Sequence, residues 1–295
     1  MSSNLIKTVL SCVCILAGSS LFGIRRENYH IDEAEKLTEV EAWQYLQSFR
    51  SFSYEKDYVF RFKIKHYPPR QRSFTHYGTI YGSYDPLTES HWQRIQIEKN
   101  GYVDVEEESI LKEIIICRGP FNRAWTVTDK GSKRSVSEIP SSEWNTPLIP
   151  LTSLSVFDLL APYLYWFDFE YLNPSQVKAR PSQTFKVFAP EDFGNPIQSV
   201  EMDLDDEFRA LLKATFSNGE NEPVKGVELI SFQKTSGNYI PKTIDYRDYV
   251  NKGHKTRIQI IKAAMNLELP EEIFDFSTLT ESFPELPEFS YDDFR

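Results

Sequence analysis

The sequence predicts a mainly β protein with a few helices, an antiparallel meander that closes into a barrel or a sandwich. Three observations carry this. Residues 197–204, 211–216, 227–232, 239–249 and 256–261 alternate apolar and polar side chains, and the phrase at 267–275 closes the run. Successive strand residues point to opposite faces, so this rhythm gives each strand one apolar and one polar face. Aromatic residues make up 14% of the chain, with 21 Phe, 16 Tyr and 5 Trp, enough to fill a β core or line an apolar pocket. Finally, 295 residues suit one large domain, since β barrels often run ~200–250 residues as a unit.

Residues 1–23 read as a signal peptide. Lys7 precedes 17 uncharged residues at 8–24, and Ala17-Gly18-Ser19-Ser20 offers small residues for a peptidase, with cleavage expected between Ser19 and Gly23. An uncleaved inner-membrane anchor is the alternative, although the stretch barely approaches the ~20 residues needed to span. A lipoprotein signal fits less well, because the Leu10 spacing to Cys12 is one residue short. Cleavage would remove Cys12 and Cys14 and leave Cys117, flanked by Ile114, Ile115 and Ile116, as a buried strand thiol with no disulfide partner.

Residues 24–53 form the N-terminal helical segment. Asp32 is expected to cap a helix over 32–49 with Glu35 three residues on, and Ala34, Leu37, Val40, Ala42, Trp43 and Leu46 recur at helical spacing. Residues 54–278 form the β domain. Strands follow at 54–67, 75–84, 91–98, 112–117, 123–128 and 133–139; Gly78 and Gly82 suggest a bend or close backbone approach. The rhythm breaks at 147–166, the most apolar mature stretch. Thr152 or Ser153 could cap a short helix there that Pro162 ends. That helix either plugs one end of the sheet or forms a movable lid over an apolar cavity. Residues 279–295, with Glu281, Glu285, Glu288, Asp292 and Asp293 among scattered Phe and Pro, read as a flexible acidic tail, with a docking peptide as the alternative.

Formal net charge is −10, and basic residues form no stripe, which argues against nucleic acid as a partner. No catalytic constellation stands out. The histidines at 30, 66, 76, 91 and 254 lack metal-ligand spacing, although His66 and His76 could meet across a hairpin. There is no nucleophile elbow, phosphate-cradling glycine loop or Cys-x-x-Cys. Asp203, Asp205, Asp206 and Glu207 resemble the start of a calcium loop but lack its glycine and terminal Glu, and are expected as a polar turn. The expectation is a protein without catalytic residues, metal or cofactor.

Gln198 to Asp205 followed by Ala210 to Ala214 resembles a strand–turn–strand of LolA/LolB-like outer-membrane lipoprotein-sorting proteins. Similarity continues through residues 227–232, 238–244 and 256–261 and ends at 266–274; earlier, Phe60-Arg61-Phe62, residues 79–82, 157–162 and Tyr165-Trp166 look like a subgroup of that family. The resemblance spans roughly 55–280. It implies an open, incomplete antiparallel β-barrel covered by helices, with an apolar hollow that holds lipoprotein acyl chains or other lipid during transport across the periplasm. It also implies a monomer, transient envelope-protein partners and no catalysis. On that basis Phe60, Phe62, Ile64, Trp92, Trp125, Val200, Met202, Leu204, Phe232, Ile244 and Ile258 are expected to face the hollow. Phe157, Leu160, Tyr163, Tyr165 and Trp166 are expected to form the lid. In the family an Arg latches the lid; Arg61 lies in a plausible early strand, but that role is not carried over to it. The rival expectation is an envelope binding or scaffold domain whose hollow is filled by its own side chains.

Overall fold

The computed structural model describes residues 35–50, 54, 56–98, 110–119, 121–130, 133–208, 210–276 and 283–294. The expected signal peptide and the expected Asp32 cap lie outside these residues. Helix α1 (Glu39–Arg50) begins later than the sequence pattern suggests. Its cap is Thr38, whose backbone N–H donates to Glu41 Oε2 at 2.8 Å while Glu41 N–H donates to Thr38 Oγ1 at 3.3 Å. This is a capping box six residues inside the expected start. The buried stripe is Ala42, Tyr45, Leu46 and Phe49, whereas Val40 and Trp43, expected on it, face solvent.

Thirteen strands then form one antiparallel sheet. In chain order they are β1 (Asp57–Tyr67), β2 (Phe74–Asp85), β3 (Ser90–Glu98), β4 (Ile110–Arg118), β5 (Arg123–Lys130), β6 (Lys133–Glu138), β7 (Phe169–Val177), β8 (Arg180–Phe188), β9 (Ser199–Asp205), β10 (Leu211–Ser217), β11 (Pro223–Thr235), β12 (Asn238–Asp248) and β13 (Lys255–Leu267). A fourteenth, β14 (Asp292–Asp293), pairs with β13. The spatial order is β6-β5-β4-β3-β2-β1-β13-β12-β11-β10-β9-β8-β7, so two meanders join where β1 pairs with β13, and among the described residues β6 and β7 are unpaired at their outer edges. The sheet does not close.

Strands β7 and β8 were not anticipated. β7 carries Pro174, which a strand tolerates at a sheet edge but which breaks the sequence signal. The β7–β8 turn uses Lys178 (φ 51°) and Ala179 (φ 62°), residues that advertise no tight hairpin.

Between the edges, residues 139–168 run as a 3-10 turn (Ser141–Glu143), helix α2 (Val156–Leu160) and a second 3-10 turn (Pro162–Tyr165). Helix α2 touches β4 and β5, and the turn that follows it touches β8. β4 and β8 lie nine strand positions apart in the sheet order. Nine spacings of about 4.8 Å put them ~40 Å apart if flat, yet one ten-residue segment reaches both, so the sheet must curl strongly. Its inner face holds the main core. Gly82 and Gly78 pair with Tyr58 and Phe62, and a Cβ on either would fall within 2.5 Å of the partner's ring, so these glycines let both rings lie flat across β2.

On the outer face, Val59, Tyr81 and Ile273 meet Phe283, Leu286, Phe289 and Tyr291. Residues 283–294 were expected as a free acidic tail. Instead β14 pairs with Lys262 and Ala263 of β13, beyond the point where β12 leaves β13, and Phe294 enters the main core at 8% exposure. The scattered aromatics supply this anchoring, and they left no periodicity for the sequence pattern to register.

Candidate functional site

Helix α2 is placed by local sequence. Ser155, not Thr152 or Ser153, starts it: its N–H and Oγ both donate to Asp158 Oδ2 at 2.7 Å. Ala161 (φ 45°) turns the chain left-handed, and Pro162 opens the following 3-10 turn rather than merely ending the helix. Two consequences follow for packing. Phe157, Tyr163 and Trp166 point into the inner face, where Tyr163 lies 5.2 Å and Phe157 5.8 Å from the Phe216 ring, and Trp166 lies 5.4 Å from Phe193. Arg50 Nη2 of α1 donates to Trp166 O at 2.6 Å, and Tyr45 Oη donates to Asp205 O at 2.8 Å, so α1 is tied to the same assembly.

Within this apolar packing sits a charge pair. Asp158, 4% exposed, bonds Lys225 of β11 across the inner face, while Asp158 Oδ1 has no hydrogen-bond partner among the described residues. Burial and, behind it, the Asp158 charge push the Tyr163 hydroxyl far above its usual titration range; the same two causes act on Tyr246. Both phenols are therefore neutral at every physiological pH. His91, also buried, is driven down to about 3, first by desolvation and then by Arg118.

Lys225 also lines a cavity of about 390 Å³ at the end of the sheet, walled by Pro147, Ser153, Ser155, Pro196, Ile197 and Val224, with Asn145, Thr152, Asn218, Asp248, Val250 and Asn251 completing it. That volume falls within the ~300–1,000 Å³ of small-molecule sites. A largely apolar lining with one lysine and three asparagines suits a chain-like ligand with one polar end.

The residues expected to face a hollow divide into three groups. Phe60, Phe62, Ile64, Val200, Met202, Leu204 and Ile258 are buried together on the inner face, and Phe232 and Ile244 pack against them half-buried. Trp92 and Trp125 are not there. They stack at 5.9 Å on the outer face with Phe276, beside Cys117, because β3, β4 and β5 send alternate residues outward. Of the expected lid, Phe157, Leu160, Tyr163 and Trp166 belong to the inner core and Tyr165 packs against it. None of these residues lines the cavity. Its walls come from turns and strand ends, where periodicity carries no signal; Pro147 and Pro196 were the available markers.

Other expectations resolve plainly. Cys117 is buried, and desolvation raises its thiol above the usual range. Asp205 Oδ1 accepts from the Glu207 and Phe208 N–H groups, the polar turn expected of that acidic run. Arg61 bonds Thr79 and Glu98 on the outer face, away from α2. The His66 ring lies 5.5 Å from that of His254, tilted by 35°, rather than beside His76. Among the described residues, no three His, Cys, Asp or Glu side chains gather as metal ligands.

A family model described as an uncharacterized protein matches residues 152–281. No curated protein matches the chain in sequence. Solved structures with the same fold include a domain described as that of an outer membrane lipoprotein-sorting protein, from Vibrio parahaemolyticus (12% identity, TM-score 0.68, covering 85% of this chain and all of that one). A DUF1329 family protein from Desulfovibrio piger is similar at 12% identity and TM-score 0.67, covering 80% of this chain and 97% of that one. A LolA superfamily protein from Nitrosomonas europaea follows at 12% identity and TM-score 0.58, covering 80% and 98%. The chain therefore has the fold of LolA-superfamily lipoprotein-sorting domains.

Proposed function

We propose that this protein is a non-catalytic envelope carrier, which shields one acyl chain or a similar apolar ligand from water while it crosses the periplasm. The observation that carries this reading is the cavity of about 390 Å³ at the end of a curled, open sheet, adjoining an apolar inner face on which α1 and the 139–168 segment pack. A ligand first enters between the 145–155 loop and the ends of β11 and β12, with its polar end near Lys225. It extends along the inner face as α2 and the Pro162–Tyr165 turn move outward, so that Phe60, Met202 and Leu204 exchange contacts with Phe157 and Leu160 for contacts with the ligand.

The magnitudes permit such an exchange. Breaking the Asp158–Lys225 pair costs ~3–5 kcal/mol. Each buried methylene returns ~0.8 kcal/mol, so roughly five methylenes offset the opening. The similar lipoprotein-sorting domains favour a lipoprotein acyl chain as the cargo, and the leader-like residues 1–23 favour export. A carrier of this kind also needs transient contact with envelope proteins that load and unload it.

A second reading has its own support: the inner face is packed, with Phe60, Phe62 and Ile64 each at 4% exposure or less. In that reading the protein is a scaffold whose core never opens. A fluorescent long-chain acyl probe separates the two. The carrier binds it with a blue-shifted emission, and Val224→Trp, which fills the cavity, weakens binding at least tenfold. A probe that stays in water with the folded wild-type protein rules the carrier out.

A further inference from the structure

We propose that the end of the sheet bearing the β12–β13 turn is a membrane-contact face that docks on a lipid surface with anionic headgroups. Its apolar part is small and projecting. Leu151, held at φ 70°, is 61% exposed, Val250 is 68% exposed and Tyr249 is 36% exposed. Val250 and Thr152, the neighbour of Leu151, line the same cavity, so the two aliphatic tips flank its mouth.

The charged part adjoins it. A Cβ placed on Gly253 would lie 3.4 Å from Pro69, which puts the β1–β2 turn against the β12–β13 turn. Those turns present Arg70, Arg72 and Lys252, all exposed and forming no ion pair with any acid among the described residues. Arg247 and Lys255 add positive charge nearby, although Glu228 and Asp245 engage them at 3.2 and 3.7 Å. On a chain of net charge −10, three unneutralised cations on touching turns run against the general field. Glu220 and Glu222 on the β10–β11 turn, with Glu191 and Asp192 between β8 and β9, bound the basic region at the same end of the sheet, and the Asp248 carboxylate within it accepts from Asn251 rather than from a cation.

Apolar tips ringed by lysine and arginine are the pattern of an interfacial protein: the tips enter the headgroup boundary, and each cation near the surface gains from the negative leaflet. An acidic protein partner would pair with the same cations, and the vesicle test separates it, because such a partner predicts no binding to lipid. The inference goes beyond the carrier reading and does not depend on it, because docking needs no ligand in the cavity.

The test uses the full chain with vesicles of phosphatidylethanolamine and phosphatidylglycerol, measured by cosedimentation. Binding is expected, falling with added salt. Arg70→Gln/Arg72→Gln/Lys252→Gln lowers the partition coefficient about 100-fold, given ~1 kcal/mol per cation at the surface, and Leu151→Ser/Val250→Ser lowers it at least tenfold. Both variants change only exposed side chains, and unchanged thermal unfolding confirms that they fold. Absence of vesicle binding, equal binding to phosphatidylcholine vesicles, or binding insensitive to both variants overturns the proposal. Acyl-probe binding in solution is measured in parallel. Its failure with vesicle binding intact counts against the carrier alone, and the converse counts against this face alone.

Discussion

Replacing Lys225 by methionine tests whether charge holds α2 against the sheet. In the wild-type protein the Asp158 side chain is fully buried and that of Lys225 is 15% exposed. Methionine keeps the apolar stem and deletes the ammonium. Asp158 then retains only its two Ser155 donors at 2.7 Å, with Oδ1 still unpartnered. Losing one member of a buried pair costs ~3–5 kcal/mol, because the remaining charge stays desolvated. The Ser155 donors and the slight exposure of Lys225 place the expected cost near ~3 kcal/mol. At ~2–4 °C per kcal/mol for a chain of this size, Tm falls by about 6–12 °C. Adding Asp158→Asn removes the stranded charge while keeping an acceptor for Ser155, so the double variant should recover ~2 kcal/mol. Thermal unfolding gives the totals. Amide exchange across 155–166 localises the effect, which should exceed that in β1 or β13. A loss under ~1 kcal/mol for Lys225→Met, or a double variant no more stable than the single, refutes the reasoning.

Three further outcomes are expected. His91, driven to about 3 from an ordinary 6.5, stays neutral in the folded protein while the unfolded chain binds a proton; its contribution is therefore complete above pH ~6.5 and is lost as pH falls from there toward ~3. His91→Phe should flatten the stability profile in that window, on the order of 4 kcal/mol at its acid end, and an unchanged acid limb would contradict this. Gly82→Val should cost at least ~2 kcal/mol in denaturant unfolding, since a Cβ there would sit 2.1 Å from the Tyr58 ring, and a smaller loss would mean the ring moves freely. Truncation before Phe283 should destabilise the domain by several kcal/mol, as expected on removing Phe294 from the core and Phe283 from its place 4.4 Å over Arg94; an equally stable truncated protein would restore the free-tail expectation.

Much of the architecture was legible because strand alternation is a local signal. Eleven strands could be placed from it, along with a close approach at Gly78 and Gly82 and the buried Cys117. What escaped had non-local causes. The facing of Trp92 and Trp125 depends on which parity of β3 and β5 turns inward, and an aromatic residue satisfies either face when Phe276 arrives from the far end of the chain to cover it. β7 was hidden by Pro174, which only its edge position makes tolerable. The C-terminal segment is anchored by scattered aromatics reaching two different clusters, so nothing repeats. At the site, the inner-face residues followed from alternation and from the family resemblance. The cavity itself did not, because turns and strand ends scattered between residues 145 and 251 build its walls. The Asp158–Lys225 pair joins residues 67 positions apart and had no local mark beyond the spacing of Ser155 and Asp158.

The central claim, that the cavity beside Lys225 takes an apolar chain, is tested most directly by native mass spectrometry of the full chain incubated with a long-chain fatty acid. The account predicts a single adduct of acyl-chain mass on the wild-type protein, lost in Val224→Trp while the fold is retained. A bare mass at every ligand concentration, or an adduct that survives Val224→Trp undiminished, would contradict it.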